Sequence, residues 1–125
     1  MSRLEQLNTW YKTLHADPEL SRKEYRTADK LSSWLAEMGL EVHRIGETAV
    51  VGILHGAKEG KTVALRADMD ALPIREQTGL PYASRNAGVM HACGHDFHMT
   101  AVLGAAELLC KRKDHIKGTV QFIFQ

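Results

Sequence analysis

Two hydrophobic periods alternate along this chain, and the alternation restricts it to a layered fold. Leu4, Leu7, Tyr11 and Leu14 recur at helical spacing and share one face. Asp17-Pro18 ends that helix, because the residue before a proline is pushed out of the helical region. Ser21-Arg22-Lys23-Glu24 reads as a capping box opening a second helix, with Leu31, Trp34, Leu35 and Met38 as its apolar stripe and Gly39 as its left-handed terminus. β-type runs follow at Glu41–Ile45, Ala49–Leu54 and Lys61–Ala67, and the segment His55–Gly60 suits a hairpin between the last two. Asp70–Gly88, punctuated by Pro73, Gly79, Pro81 and Gly88, reads as loop. A third helix is predicted over Phe97–Lys111, with Asp96 as its N-cap and Met99, Val102, Leu103, Ala106 and Leu109 at helical spacing. Thr119–Phe124 is again β-type. Helices and strands in this order read as an α/β layered fold.

Composition excludes several function classes. Apolar residues at 44% and charged residues at 25% fit a globular chain rather than a disordered one. Sixteen Lys and Arg against fifteen Asp and Glu leave no basic excess for nucleic acid. Cys93 and Cys110 are too few for a disulfide scaffold. The first twenty residues mix charges and contain no apolar targeting core. The most apolar later stretch, Ala101–Cys110, contains Glu107 and is far shorter than the ~20 residues that span a bilayer. The expectation is a cytoplasmic protein with reduced thiols and no nucleic-acid or membrane partner.

Chemistry concentrates in Met90-His91-Ala92-Cys93-Gly94-His95-Asp96-Phe97-His98. Three of the chain's seven His lie here, where an even spread would place fewer than one. Thiolate, imidazole and carboxylate are the donors that bind divalent transition metals. Cys93 and His95 stand one residue apart, with Gly94 allowing a sharp turn between them. Both precede the third helix, whose positive end favours a thiolate. Asp96 and His98 are placed to fix the orientation of those ligands. A lone His near a helix start is ordinarily a surface or capping residue; it is the cluster that weighs toward metal. A closed structural zinc site is disfavoured, since no second Cys pair exists. Cys110 reads as a small buried hydrophobe.

A second feature, Leu65-Arg66-Ala67-Asp68-Met69-Asp70, follows an apolar strand. In an extended chain Asp68 and Asp70 point to one side, and strand carboxyl ends are where α/β sheets gather ligands. A solvated turn is the plainer alternative. Arg66 is a candidate partner for one of these aspartates. His15, Pro18 and Glu19 read as turn residues, and His43, His55 and His115 as surface residues.

LRADMDALPI and MHACGHDFHMTAVLGAAELL, with LHADPELSRKEYRT before them and GTVQFIFQ after, resemble the metallo-amidohydrolases of metallopeptidase family twenty. The branch resembled is that of the aminoacylases, hippurate hydrolases and indole-acetyl-amino-acid hydrolases, and the resemblance covers nearly the whole chain. It implies hydrolysis of the amide bond of N-acyl amino acids or similar small conjugates, on two divalent ions (Zn, Mn, Co or Ni). It implies a three-layer, zinc-peptidase-like α/β catalytic domain with a central mixed sheet. Residues 1–125 would be only the N-terminal part of that domain, with an inserted domain and the general-base glutamate lying beyond Gln125. Cys93 and His95 match metal ligands, and Asp70 matches the acid that orients the site. Asp68 stands where the wider family has a His, and so takes a supporting role with Asp96 and His98. A homo-oligomer of the full-length protein is left open. The 125 residues alone are expected to be inactive and to bind metal weakly. Two other readings stand beside this one. The first is a metal-binding module without chemistry, using Cys93, His95 and His98. The second is a thiol hydrolase with Cys93 as nucleophile and His91 or His95 as base.

Overall fold

A computed structural model describes residues 1–125. Helices α1 (Arg3–Ala16) and α2 (Tyr25–Glu37) precede strands β1 (Glu41–Ile45), β2 (Ala49–His55) and β3 (Lys58–Ala67). A long irregular segment then leads to α3 (His95–Cys110), a single 3-10 turn (Lys113–His115) and strand β4 (Lys117–Phe124). The strands form one sheet in the order β1-β2-β4-β3. β1 and β2 are antiparallel, β2 and β4 antiparallel, and β3 and β4 parallel, so the sheet is mixed, as expected.

The predicted hairpin between β2 and β3 does not form. β4 inserts between them, pairing Val50 with Phe124 and His55 with Thr119 on one side, and Val63 with Val120 and Ala67 with Phe124 on the other. A β-type pattern reports a strand but not its partner, and the parallel β3–β4 pair needs the long crossover that α3 supplies. Gly118 lies where the β3–β4 register is irregular, between the Lys58–Lys117 and Thr62–Thr119 pairs. Its φ is +107°, and a Cβ there would lie 2.0 Å from the Lys61 carbonyl oxygen. Its own carbonyl accepts the Gly56 N–H at 2.8 Å.

One core joins all three helices to one face of the sheet. Trp10 and Leu14 of α1, Ala28, Leu31 and Leu35 of α2, and Met99, Leu103 and Ala106 of α3 pack on Val50, Leu54, Ala67, Phe122 and Phe124. Each large side chain buried there contributes roughly 1.5–3 kcal/mol. Ile45, Val51, Ile53 and Ile123 alternate onto the opposite face and line a shallow groove, where Ile45 is 59% exposed. The three helices thus form one layer against one face of the mixed sheet.

Capping departs from the local sequence signals. The reciprocal capping box is at α1, where Ser2 Oγ accepts the Glu5 N–H and the Glu5 carboxylate accepts the Ser2 N–H. The predicted Ser21–Glu24 box is absent: α2 begins at Tyr25, and Glu24 makes no side-chain cap. Buried Glu19 caps α2 from outside. It accepts the N–H of Arg26 at 3.1 Å, the N–H of Thr27 at 2.6 Å and the Thr27 hydroxyl at 2.7 Å. A carboxylate at a helix N-terminus also gains from the helix dipole. Nor is Asp96 the N-cap of α3. That position is Gly94, in the left-handed conformation at φ +91°, and the helix starts at His95. No helix is long and apolar enough to cross a membrane.

Candidate metal centre

The site forms where the chain leaves β3 and where α3 begins. Met69 is fully buried beneath the sheet's end, and the alternation about it leaves Asp68 and Asp70 half-buried. Leu72 and Met90 exchange backbone hydrogen bonds at 2.9 Å, tying the segment after Asp70 to the one before α3. His95 and His98 then fall one turn apart on the first turn of α3, with ring centroids 5.6 Å apart.

His95 is the pivot. Its Nδ1 lies 2.9 Å from the Asp70 carbonyl oxygen and 3.0 Å from Asp70 Oδ1. Its Nε2 faces Asp68, 3.8 Å from Oδ2. Asp68, His95 and His98 each offer one ligand atom, all within 4.8 Å of one another. One carboxylate and two imidazoles, one of them braced at its second nitrogen, fit a divalent transition metal. Arg66 Nη1 stands 3.7 Å from Asp68 Oδ1, the pairing the sequence suggested. The site is open, with His98 exposed and Asp68 and His95 half-buried.

The structure thus brings together Asp68, Asp70, His95 and His98, with Asp68, His95 and His98 grouped closely enough that they could hold one ion. Cys93 is exposed, and its sulfur does not join the three mutually close donors. No imidazole hydrogen-bonds Cys93, and His95 Nδ1 is engaged by Asp70, so the geometry lends nothing to a Cys–His nucleophile pair. His91 is buried with neither ring nitrogen hydrogen-bonded. Burial pushes its pKa down, chiefly, and the neighbouring His15 and His95 add to that against the pull of Asp96 and Asp70. Asp96 turns away from the donors toward α1.

His15 is not a turn residue. It lies inside α1, is 4% exposed, and places Nδ1 2.8 Å from Asp96 Oδ2 and Nε2 3.0 Å from the Glu76 carboxylate. Burial lowers its pKa, but hydrogen bonds to Glu76 and then Asp96 outweigh this and raise it overall. Glu76 was also missed. The one available signal was that His15 falls four residues after Tyr11 and one after Leu14, on the inward side of α1.

Comparison with known proteins follows the same residues. The sequence profile of peptidase family M20/M25/M40 matches residues 64–125, which hold Asp68, Asp70, Cys93, His95 and His98. Thermostable carboxypeptidase 1 of Saccharolobus solfataricus is 54% identical over 114 residues, 90% of this chain and 29% of that protein. This chain belongs to the M20/M25/M40 peptidase family. Another relative, the N-acetylcysteine deacetylase of Bacillus subtilis, is 49% identical over 90% of this chain and 30% of its own length. The crystal structure of a dinuclear metal-binding M20 peptidase from Bacillus subtilis superposes with a TM-score of 0.95 at 46% identity. That match covers 98% of this chain and 35% of the other. The family resemblance carried by the motifs is therefore correct, and so is the mixed α/β fold it implied. This M20/M25/M40 chain spans about 30% of the length of the curated relatives it matches.

Proposed function

We propose that residues 1–125 form the N-terminal part of the catalytic domain of a metal-dependent amidohydrolase that removes acyl groups from N-acyl amino acids. The observation that carries this reading is the bracing of His95. Asp70 occupies Nδ1, which leaves Nε2 with its lone pair directed toward the side where Asp68 and His98 converge.

Two divalent ions of the Zn, Mn, Co or Ni type are the proposed cofactors. His95 would hold one of them, with Cys93 as the family motif implies and with Asp68 and His98 from the geometry. When bound, such ions supply Lewis-acid chemistry, polarising a carbonyl and acidifying water. Asp70 fixes the His95 tautomer, Arg66 steadies the Asp68 carboxylate, and the open face over His98 admits the substrate. A glutamate outside these residues would act as general base. The substrate class is supported by the relative named as an N-acetylcysteine deacetylase, whose substrate is an N-acyl amino acid. Two free thiols, Cys93 and Cys110, accord with a reducing cytoplasm.

The test is hydrolysis of N-acetyl amino acids and of dipeptides by the full-length protein, before and after chelation. Turnover of the N-acetyl compounds that is lost to chelator and restored by Zn²⁺ or Mn²⁺ supports the reading. Turnover indifferent to chelation overturns the metal centre, and hydrolysis of dipeptides alone overturns the substrate class.

A further inference from the structure

Three bridges connect the segment after β3 to the segment that opens α3. The first is Asp70 to His95. The second is the backbone pair Leu72–Met90. The third runs through a residue of neither segment: Glu76 to His15 to Asp96. Its three side chains are almost completely shielded, His15 at 5% exposure and both carboxylates at 3%.

A neutral imidazole donates from one nitrogen only, so a ring held between two carboxylates is an imidazolium donating to both. Tyr11 stacks on it at 5.9 Å between centroids, and Tyr82 meets it edge-on at 5.5 Å. Both carboxylates accept from other donors too. Glu76 accepts the Thr78 hydroxyl and the Ser84 N–H, and Asp96 accepts the Phe97 N–H. The loop is further hung from the end of α1, where Arg85 N–H donates to the Ala16 carbonyl at 2.9 Å. Without the cation, two buried carboxylates would face each other uncompensated, which breaks such a pairing far more than it relaxes it.

We infer that His15 is a positioning residue of the metal centre: by clamping Glu76 to Asp96 it holds the Asp70 segment against the first turn of α3, so that Asp70 meets His95. The inference rests on the proposed metal centre and assigns it a support from α1, outside both motifs. His15 touches neither metal nor substrate.

The experiment uses the full-length protein, Co²⁺ as the probe, and the variants His15→Ala and Glu76→Gln. Cobalt affinity is measured by chelator competition, the ligand field from the visible absorption bands, and folding by circular dichroism. Outer partners of metal ligands are typically worth about 10–100-fold in metal affinity. The expected result is a loss of that size with altered cobalt bands in folded variants, and non-additivity with Asp70→Asn, since both act through His95. If His15→Ala does not fold, Glu76→Gln, which keeps the side-chain shape, decides alone. Variants that fold and keep the parent's cobalt bands and affinity overturn the inference while leaving the proposed function standing. An unaltered protein with no cobalt spectrum overturns the metal centre itself and this inference with it.

Discussion

Asp70 approaches one nitrogen of His95 with two acceptors, its carbonyl oxygen at 2.9 Å and its Oδ1 at 3.0 Å. The pair sets the tautomer: Nδ1 carries the proton, and Nε2 carries the lone pair a metal needs. Asp70→Asn replaces the anionic acceptor but leaves the backbone carbonyl in place. The expected cost is about 10–100-fold in zinc affinity of the full-length protein, read by competition with a chromophoric chelator. An affinity equal to the parent's would show that the side chain does not brace His95.

The two thiols differ in environment, and that gives a test of Cys93 as a ligand. Cys93 is exposed, while Cys110 is half-buried and burial pushes its thiol pKa up, with Glu107 adding and Lys113 opposing. In metal-stripped full-length protein at neutral pH, an alkylating reagent should label Cys93 well ahead of Cys110. Metal loading should then slow Cys93 roughly tenfold or more, because a metal-held thiolate is not free to attack. Mass spectrometry of the labelled peptides resolves the two. An unchanged rate at Cys93 removes it from the ligand set.

What the sequence disclosed was local, and what it hid was long-range. The helical stripe ending at Leu14, the break at Asp17-Pro18 and the donors of 91–98 are written in neighbouring residues, and each could be read from spacing. Partnership was not. The His55–Gly60 turn looked like a hairpin because nothing in β2 or β3 announces that β4 will pair between them. His15 looked like a turn residue because its partners Glu76 and Asp96 lie 61 and 81 positions away. The caps depart for nearer reasons. Ser21 and Asp96 have good capping chemistry, but Glu19 occupies the start of α2, and Asp96 falls inside α3, where its carboxylate is shared between His15 and the Phe97 N–H. The motif resemblance gives Asp68 a supporting role. Its approach to His95 and His98 depends on how β3 ends against α3, which no local pattern encodes.

Asp17 should make stability sensitive to acid. Its carboxylate accepts from Arg26 at 2.7 and 3.0 Å, from Lys30 at 2.6 Å and from Asn86 at 2.8 Å. Arg26 chiefly, then Lys30 and Asn86 against the upward push of burial, holds its pKa far below the ordinary 3.8. A depressed folded-state pKa stabilises above the unfolded value and is lost as pH falls through the folded one. Asp17→Asn should therefore cost about 1–2 kcal/mol at neutral pH. The difference from the parent should shrink progressively as pH falls below the ordinary value of 3.8. Urea unfolding of the full-length protein at several pH values measures this. A gap that stays constant into acid would show that Asp17 acts through packing rather than charge.

Gly118 should be the least replaceable glycine of the sheet. At φ +107° any side chain is strained, and a Cβ would also meet the Lys61 carbonyl oxygen at 2.0 Å and the Gly60 carbonyl carbon at 2.8 Å. Both obstacles are backbone, so neither can swing aside as a side chain would. The strand cannot shift to relieve them without breaking pairs on both sides, since β4 is bonded to β2 and β3 at once. Gly118→Ala should destabilise by about 3 kcal/mol or more. Gly79→Ala is the control, because φ there is +71° but nothing lies within 4 Å of the added carbon. It should cost only the left-handed penalty of about 1–2 kcal/mol. Urea midpoints of the two full-length variants separate strain from collision, and equal costs would show that the close approach at Gly118 relaxes freely.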